Sequence, residues 1–95
     1  ISVLGNLCPS LMKTLAEAAT GGSVAAALRV HKRVYDLAVS LARFGPNPLP
    51  IKTAMAALGL LEPEFRLPLC PPSPEARAGI TEVLRRHKLL ERVPA

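Results

Sequence analysis

Side chains able to do chemistry are few in this chain and widely spaced. Lys52 comes first, because Schiff-base formation with a carbonyl needs a lysine and desolvation favours the nucleophilic amine. It follows a run of prolines at the start of an expected helix, where it is solvated, so we read it as a surface residue. Cys8 precedes Pro9 at another expected helix start, a place that favours thiolate, yet a buried structural thiol is the stronger reading. His31 and Tyr35 are four apart on one helix, close enough for ring contact, and we read them as core or interface packing. His31 and Asp36, five apart, share no face. No carboxylate pair at acid–base spacing, no Ser/His/Asp set and no glycine-rich phosphate loop stands in the sequence. Cys8 and Cys70 form neither a CxxC motif nor a metal-ligand spacing, and read as reduced, buried residues of a cytosolic protein.

The net charge of +5 raises nucleic acid or an anionic membrane as partners. A mildly basic solvated surface explains the charge more simply. The dense cluster Arg85-Arg86-His87-Lys88 falls at a helix C-terminus, where positive charge complements the macrodipole. Only Tyr35, Phe44 and Phe65 are aromatic, which argues against a base-stacking surface. No apolar run approaches the ~18 residues of a membrane span, and no secretory signal pattern is present.

These residues must be held by helices. At 95 residues the chain suits one small domain with a thin core, rich in Ala, Leu and Val. The organising stretch runs from Ser23 to Lys52, with a long helix that ends near Phe44 or Gly45. Ala27, Val30, Val34, Leu37, Leu41 and Phe44 recur at helical spacing, while Arg29, Lys32, Arg33, Asp36 and Arg43 fall mostly elsewhere. The loop Gly45-Pro-Asn-Pro-Leu-Pro50 ends that helix. Upstream, Pro9 opens a helix to about Thr20 with an apolar stripe of Leu11, Met12, Leu15, Ala18 and Ala19. Gly21-Gly22 stops it and Ser23 caps the next helix, so the two are expected to form a hairpin. A third helix is expected over Pro50–Leu58, closed by Gly59, with Ala54, Met55, Ala57 and Leu58 as small or apolar contact residues. Leu60–Pro72 reads as an extended tie with too many prolines for a central strand. Ser73-Pro74-Glu75 is a helix start, and Ala76, Ile80, Val83 and Leu84 form the stripe of a last helix ending near His87. Glu91–Ala95 reads as a loose tail.

The first residues stand apart. Ile1-Ser-Val-Leu4 is β-branched and apolar, consistent with the end of a buried strand, yet nothing else in the chain reads as a strand to pair with it. Its sheet is absent or it frays. The chain opens on isoleucine instead of methionine, and we read that opening as cut.

Ile1-Ser-Val-Leu-Gly-Asn6, Pro46-Asn-Pro-Leu-Pro-Ile-Lys52, Leu58-Gly-Leu-Leu-Glu-Pro63 and Arg66-Leu-Pro-Leu69 together resemble the C-terminal third of the dihydrodipicolinate synthase / N-acetylneuraminate lyase family. The likeness runs in order along essentially the whole chain and is nearer the synthase branch. Leu4-Gly5 departs from it, standing where many synthases carry Thr-Ala. The resemblance implies a parent of TIM (β/α)8 barrel fold, about 250 residues for the barrel alone, followed by a helical domain and assembled as a homo-oligomer. Residues 1–22 would then be the end of the last barrel strand and the last barrel helix, and residues 23–95 the C-terminal helical domain. It implies class I aldolase chemistry, in which a lysine on an earlier strand forms a Schiff base with pyruvate and the enamine attacks an aldehyde. No cofactor or metal is implied. Of this chain's residues only Ile1 carries over, its backbone carbonyl lining the pyruvate pocket as the substrate-binding contribution. Asn6 is expected to stabilise the turn that follows.

The expected fold class is therefore all-α, about four helices with an orphan strand stub at 1–4. The favoured function is that of a structural, oligomerising C-terminal fragment of a cytoplasmic pyruvate-dependent lyase, with no catalytic residue of its own. The alternative is a free-standing basic helical interaction module that binds nucleic acid through Arg77, Arg85, Arg86 and Lys88.

Overall fold

The computed structural model describes residues 1–90. Its elements are a 3-10 turn (Leu4–Asn6), α1 (Pro9–Thr20), α2 (Val24–Ala42), α3 (Leu49–Ala57) and α4 (Pro74–Arg86). The described residues contain no strand. The segment expected as a strand stub is instead irregular at Ile1 and Ser2 and turns into the 3-10 element from Leu4. A strand needs a ladder partner for its amides, and without one the local i→i+3 bonds win. The expected tail over 91–95 lies outside the described residues.

Two compact units divide the chain, Ile1–Val39 and the residues from Ser40 onward, with the boundary inside α2. In the first unit the turn packs against α1 and buries Leu4, Leu7 and Cys8. Pro9 occupies the first position of α1, as expected, because the missing N–H is an orphan there anyway. Gly22 adopts φ +83° just past the helix, a conformation that costs glycine nothing. Ser23 then accepts at Oγ from the Ala26 amide at 3.2 Å and caps α2.

The expected hairpin does not form, since α1 and α2 do not pack along their lengths. A short link brings only the helix ends together, whereas a hairpin needs two stripes that face each other. The first turn of α2 presents exposed Val24 and Ala25, and no residue of α1 is fully buried. Leu11, Met12, Leu15 and Ala18 are half-buried at best. The inner stripe of α2 falls where its period puts it. Val34, Leu37 and Leu41 are buried, Ala27 and Val30 half-buried, and Arg29, Lys32, Arg33 and Asp36 exposed.

In the second unit α3 packs against α4. Ile51, Ala54 and Leu58 of α3 and its end are buried, as are Ile80, Val83 and Leu84 of α4 and Leu89 beyond it. Ala54 has no exposed surface, and its small side chain permits the close approach expected of α3. Ser73 caps α4 by accepting from the Ala76 amide at 3.1 Å, with Pro74 and Glu75 in the first turn and Arg85 and Arg86 in the last. The segment over 60–72 contains no helix or strand, as its prolines require. Phe44, just beyond α2, lies against Gly79 of α4. A β-carbon there would stand 2.4 Å from its Cε1 and 2.6 Å from its Cζ.

That contact sets the sign of one substitution. Alanine has a helix propensity about 1 kcal/mol better than glycine, but overpacking against a ring costs about 1–3 kcal/mol. Gly79→Ala is therefore expected to lower stability by about 1 kcal/mol net, read as a fall in the urea midpoint, and to cost less in a Phe44→Leu background. A raised midpoint for Gly79→Ala alone would show that the ring moves aside freely.

Candidate functional site

The most developed arrangement of polar and aromatic groups surrounds Lys52, in the second unit. Pro48 and Pro50 start α3 and place Lys52 in its first turn. Its side chain is not left in solvent as expected. Lys52 Nζ donates to the backbone carbonyl of Glu64 and sits 5.2 Å from the centroid of the Phe65 ring. Lys52 and Phe65 are both half-buried. The lysine thus ties the proline-rich segment onto α3 through a charge-assisted hydrogen bond and a cation–π contact. Both contacts engage the amine with groups of its own unit, so it is not presented to a carbonyl substrate.

An open groove of about 500 Å³ lies beside this tie, lined among others by Thr53, Ala57, Phe65, Pro71, Arg77 and Thr81. Neither the Lys52 partners nor this groove was legible in the sequence. Lys52 and Phe65 are thirteen positions apart across a segment with no regular period, so no local pattern links them.

The remaining candidates are dispersed. Cys8 is buried, with Sγ 3.5 Å from the Leu4 carbonyl oxygen, and is structural as expected. Cys70 is exposed, contrary to expectation, because the proline-rich segment carries it along the surface. Among the described residues neither thiol is part of a disulfide. The rings of His31 and Tyr35 do meet, 5.9 Å apart and tilted by 42°, but Tyr35 is 60% exposed, so the pair is not core. Asn6 Nδ2 donates to the Val3 carbonyl at 3.2 Å and steadies the first turn, as expected. Ile1 is fully exposed at the chain start. Within the basic cluster Arg85 pairs with Glu82 and Arg86 donates to Ser40 Oγ at 3.1 Å, so two of its cations are engaged inside their own unit. Among the described residues no group of His, Cys, Asp and Glu is placed to hold a metal ion, and no helix is long and apolar enough to cross a membrane.

Replacing Lys52 by methionine keeps the apolar stem and removes the donor. We expect amide exchange across residues 62–66 to accelerate roughly tenfold, the effect of losing about 1–2 kcal/mol of charge-assisted bonding. Unchanged exchange would show that the segment is held by its prolines alone.

Comparison with known proteins supplies the remaining context. The model of the dihydrodipicolinate synthetase family matches residues 1–87. The 4-hydroxy-tetrahydrodipicolinate synthase of Campylobacter jejuni subsp. jejuni serotype O:6 is 42% identical over 90 residues, which are 94% of this chain and 30% of that protein. The 4-hydroxy-tetrahydrodipicolinate synthase of Aquifex aeolicus is 42% identical over 89 residues, again 94% of this chain and 30% of its own. A crystal structure of dihydrodipicolinate synthase superposes with a TM-score of 0.83 at 31% identity, covering 94% of this chain and 31% of that one. The chain thus spans about 30% of the length of the relatives it matches. A family match from residue 1 to residue 87, joined to this fold agreement, means that the chain belongs to the dihydrodipicolinate synthetase family.

Proposed function

We propose that this chain is the C-terminal portion of a pyruvate-dependent Schiff-base aldolase/lyase. In this reading the parent resembles the synthase that condenses pyruvate with aspartate semialdehyde in lysine biosynthesis. In this reading residues 1–22 end the last barrel strand and form the last barrel helix, and residues 23–95 are the appended helical domain. The Schiff-base lysine and the residues that shuttle protons belong to earlier barrel strands, so the piece is inactive alone. Its work is to cover the barrel and to build subunit contacts through α2 in a cytoplasmic homo-oligomer.

The observation that carries this reading is the apolar surface left uncovered in the first unit. No residue of α1 is fully buried despite its stripe of Leu11, Met12 and Leu15. On α2, Val24, Leu28, Tyr35 and Val39 are exposed. Their spacings of four, seven and four place them on one helical face, apart from the stripe of Val34, Leu37 and Leu41. Contiguous apolar faces of this kind call for cover by further chain or by a neighbouring subunit.

Ile1 supplies the one contact with substrate in this reading. The carbonyls of Ser2, Val3 and Leu4 accept from the amides of Gly5, Asn6, Leu7 and Cys8. Among the described residues no backbone amide donates to the Ile1 carbonyl, and in this reading that carbonyl lines the pyruvate pocket of the parent barrel.

Two measurements test the proposal. Incubation of this chain with pyruvate, followed by borohydride reduction and intact mass analysis, is expected to show no adduct, whereas the longer protein is trapped on a lysine outside residues 1–95. An adduct at Lys52 would overturn the placement of the chemistry. In sedimentation velocity the isolated chain is expected to self-associate as concentration rises, through the faces left uncovered. A clean monomer across the range would count against the covering role.

A further inference from the structure

We propose that the groove beside α4 binds a small organic anion with an apolar body, an arylalkyl monocarboxylate, through Arg77. The site lies wholly in the second unit and does not depend on where the family's chemistry occurs. Its volume of about 500 Å³ falls inside the range of about 300–1,000 Å³ typical of small-molecule sites. Alanine, proline and leucine side chains and the ring of Phe65 make most of its wall. Among the described residues Arg77 is the sole charged one that lines it.

Among the described residues no ion pair or side-chain hydrogen bond engages the Arg77 guanidinium. The acid nearest beyond it on α4, Glu82, is taken by Arg85. Glu75 is two positions away, a spacing that puts it on another face of the helix. Glu62 and Glu64 lie in the proline-rich segment, exposed, and neither lines the groove. The two threonines that do line it donate into their own helices. Thr53 Oγ1 donates to the Leu49 carbonyl at 2.8 Å and Thr81 Oγ1 to the Arg77 carbonyl at 3.0 Å. Each hydroxyl proton is therefore committed, and recognition of an anion rests on the guanidinium.

The ligand class follows from that inventory. A guanidinium presents a planar fork that matches a carboxylate with two parallel bonds. One cation balances one negative charge, so a monoanion suits the groove better than a phosphate dianion. The Lys52 ammonium against the Phe65 ring adds positive potential at the same wall and disfavours cationic ligands. Apolar walls select a hydrocarbon or aryl body over a small polar acid.

The test uses fluorophenylbutyrate as the probe and fluorophenylbutanol as its neutral counterpart, each followed by fluorine NMR line broadening on titration with the chain. The carboxylate is expected to bind about tenfold more tightly than the alcohol. Arg77→Gln, a change at an exposed position that leaves the core intact, is expected to abolish that preference. Lys88→Gln, which removes a cation outside the groove, is expected to retain it. Equal binding of acid and alcohol, an undiminished preference in Arg77→Gln, or no broadening at millimolar probe would each overturn the assignment.

Discussion

The ring of Phe44 occupies the space that a β-carbon at Gly79 would need, and much of the second unit follows from that contact. It fixes the point where the chain leaves α2 against the body of α4. Between these two points the chain must turn through the proline loop, form α3 and return along the proline-rich segment. Pro48 and Pro50 restrict that path and start α3 in register. Ile51, Ala54 and Leu58 then face inward, with Ile80, Val83 and Leu84 buried on the other helix. Glycine at position 79 is thus required by a tertiary contact, in the interior of a helix where its propensity is poor.

The two units differ in how far they cover themselves. The second has inner residues on both of its complete helices and a lysine that fastens its irregular segment. The first buries a turn against one end of α1 and leaves much of both helices half-covered or bare. The chain spans about 30% of the length of the relatives it matches.

Lys52 shows how a residue type suggests chemistry that its surroundings refuse. A lysine after a proline turn invites a nucleophilic role, and an exposed position argues against one. The structure places it in neither state. Its ammonium is held by a carbonyl and an aromatic face, which ties together two segments twelve residues apart. Arg86 is used in a similar way, donating across forty-six positions to Ser40. The cations that suggested a nucleic-acid surface include groups already engaged within their own unit.

The sequence by itself determined the four helices and nearly all their ends. Pro9, Ser23, Ser73 and Pro74 act through local bonds and backbone geometry, and the apolar period of α2 predicts its buried stripe. Those signals operate within a turn or two, so they can be read without knowing what lies nearby. The family likeness was legible for the same reason, since its motifs are contiguous runs. What only the tertiary structure decided involves partners distant along the chain. The seating of Lys52 on Phe65, the clearance at Gly79, the exposure of Cys70 and the groove at Arg77 all depend on how separate segments meet. The expected hairpin of α1 and α2 failed on the same ground. A short link constrains where two helices join, but only complementary faces decide whether they pack.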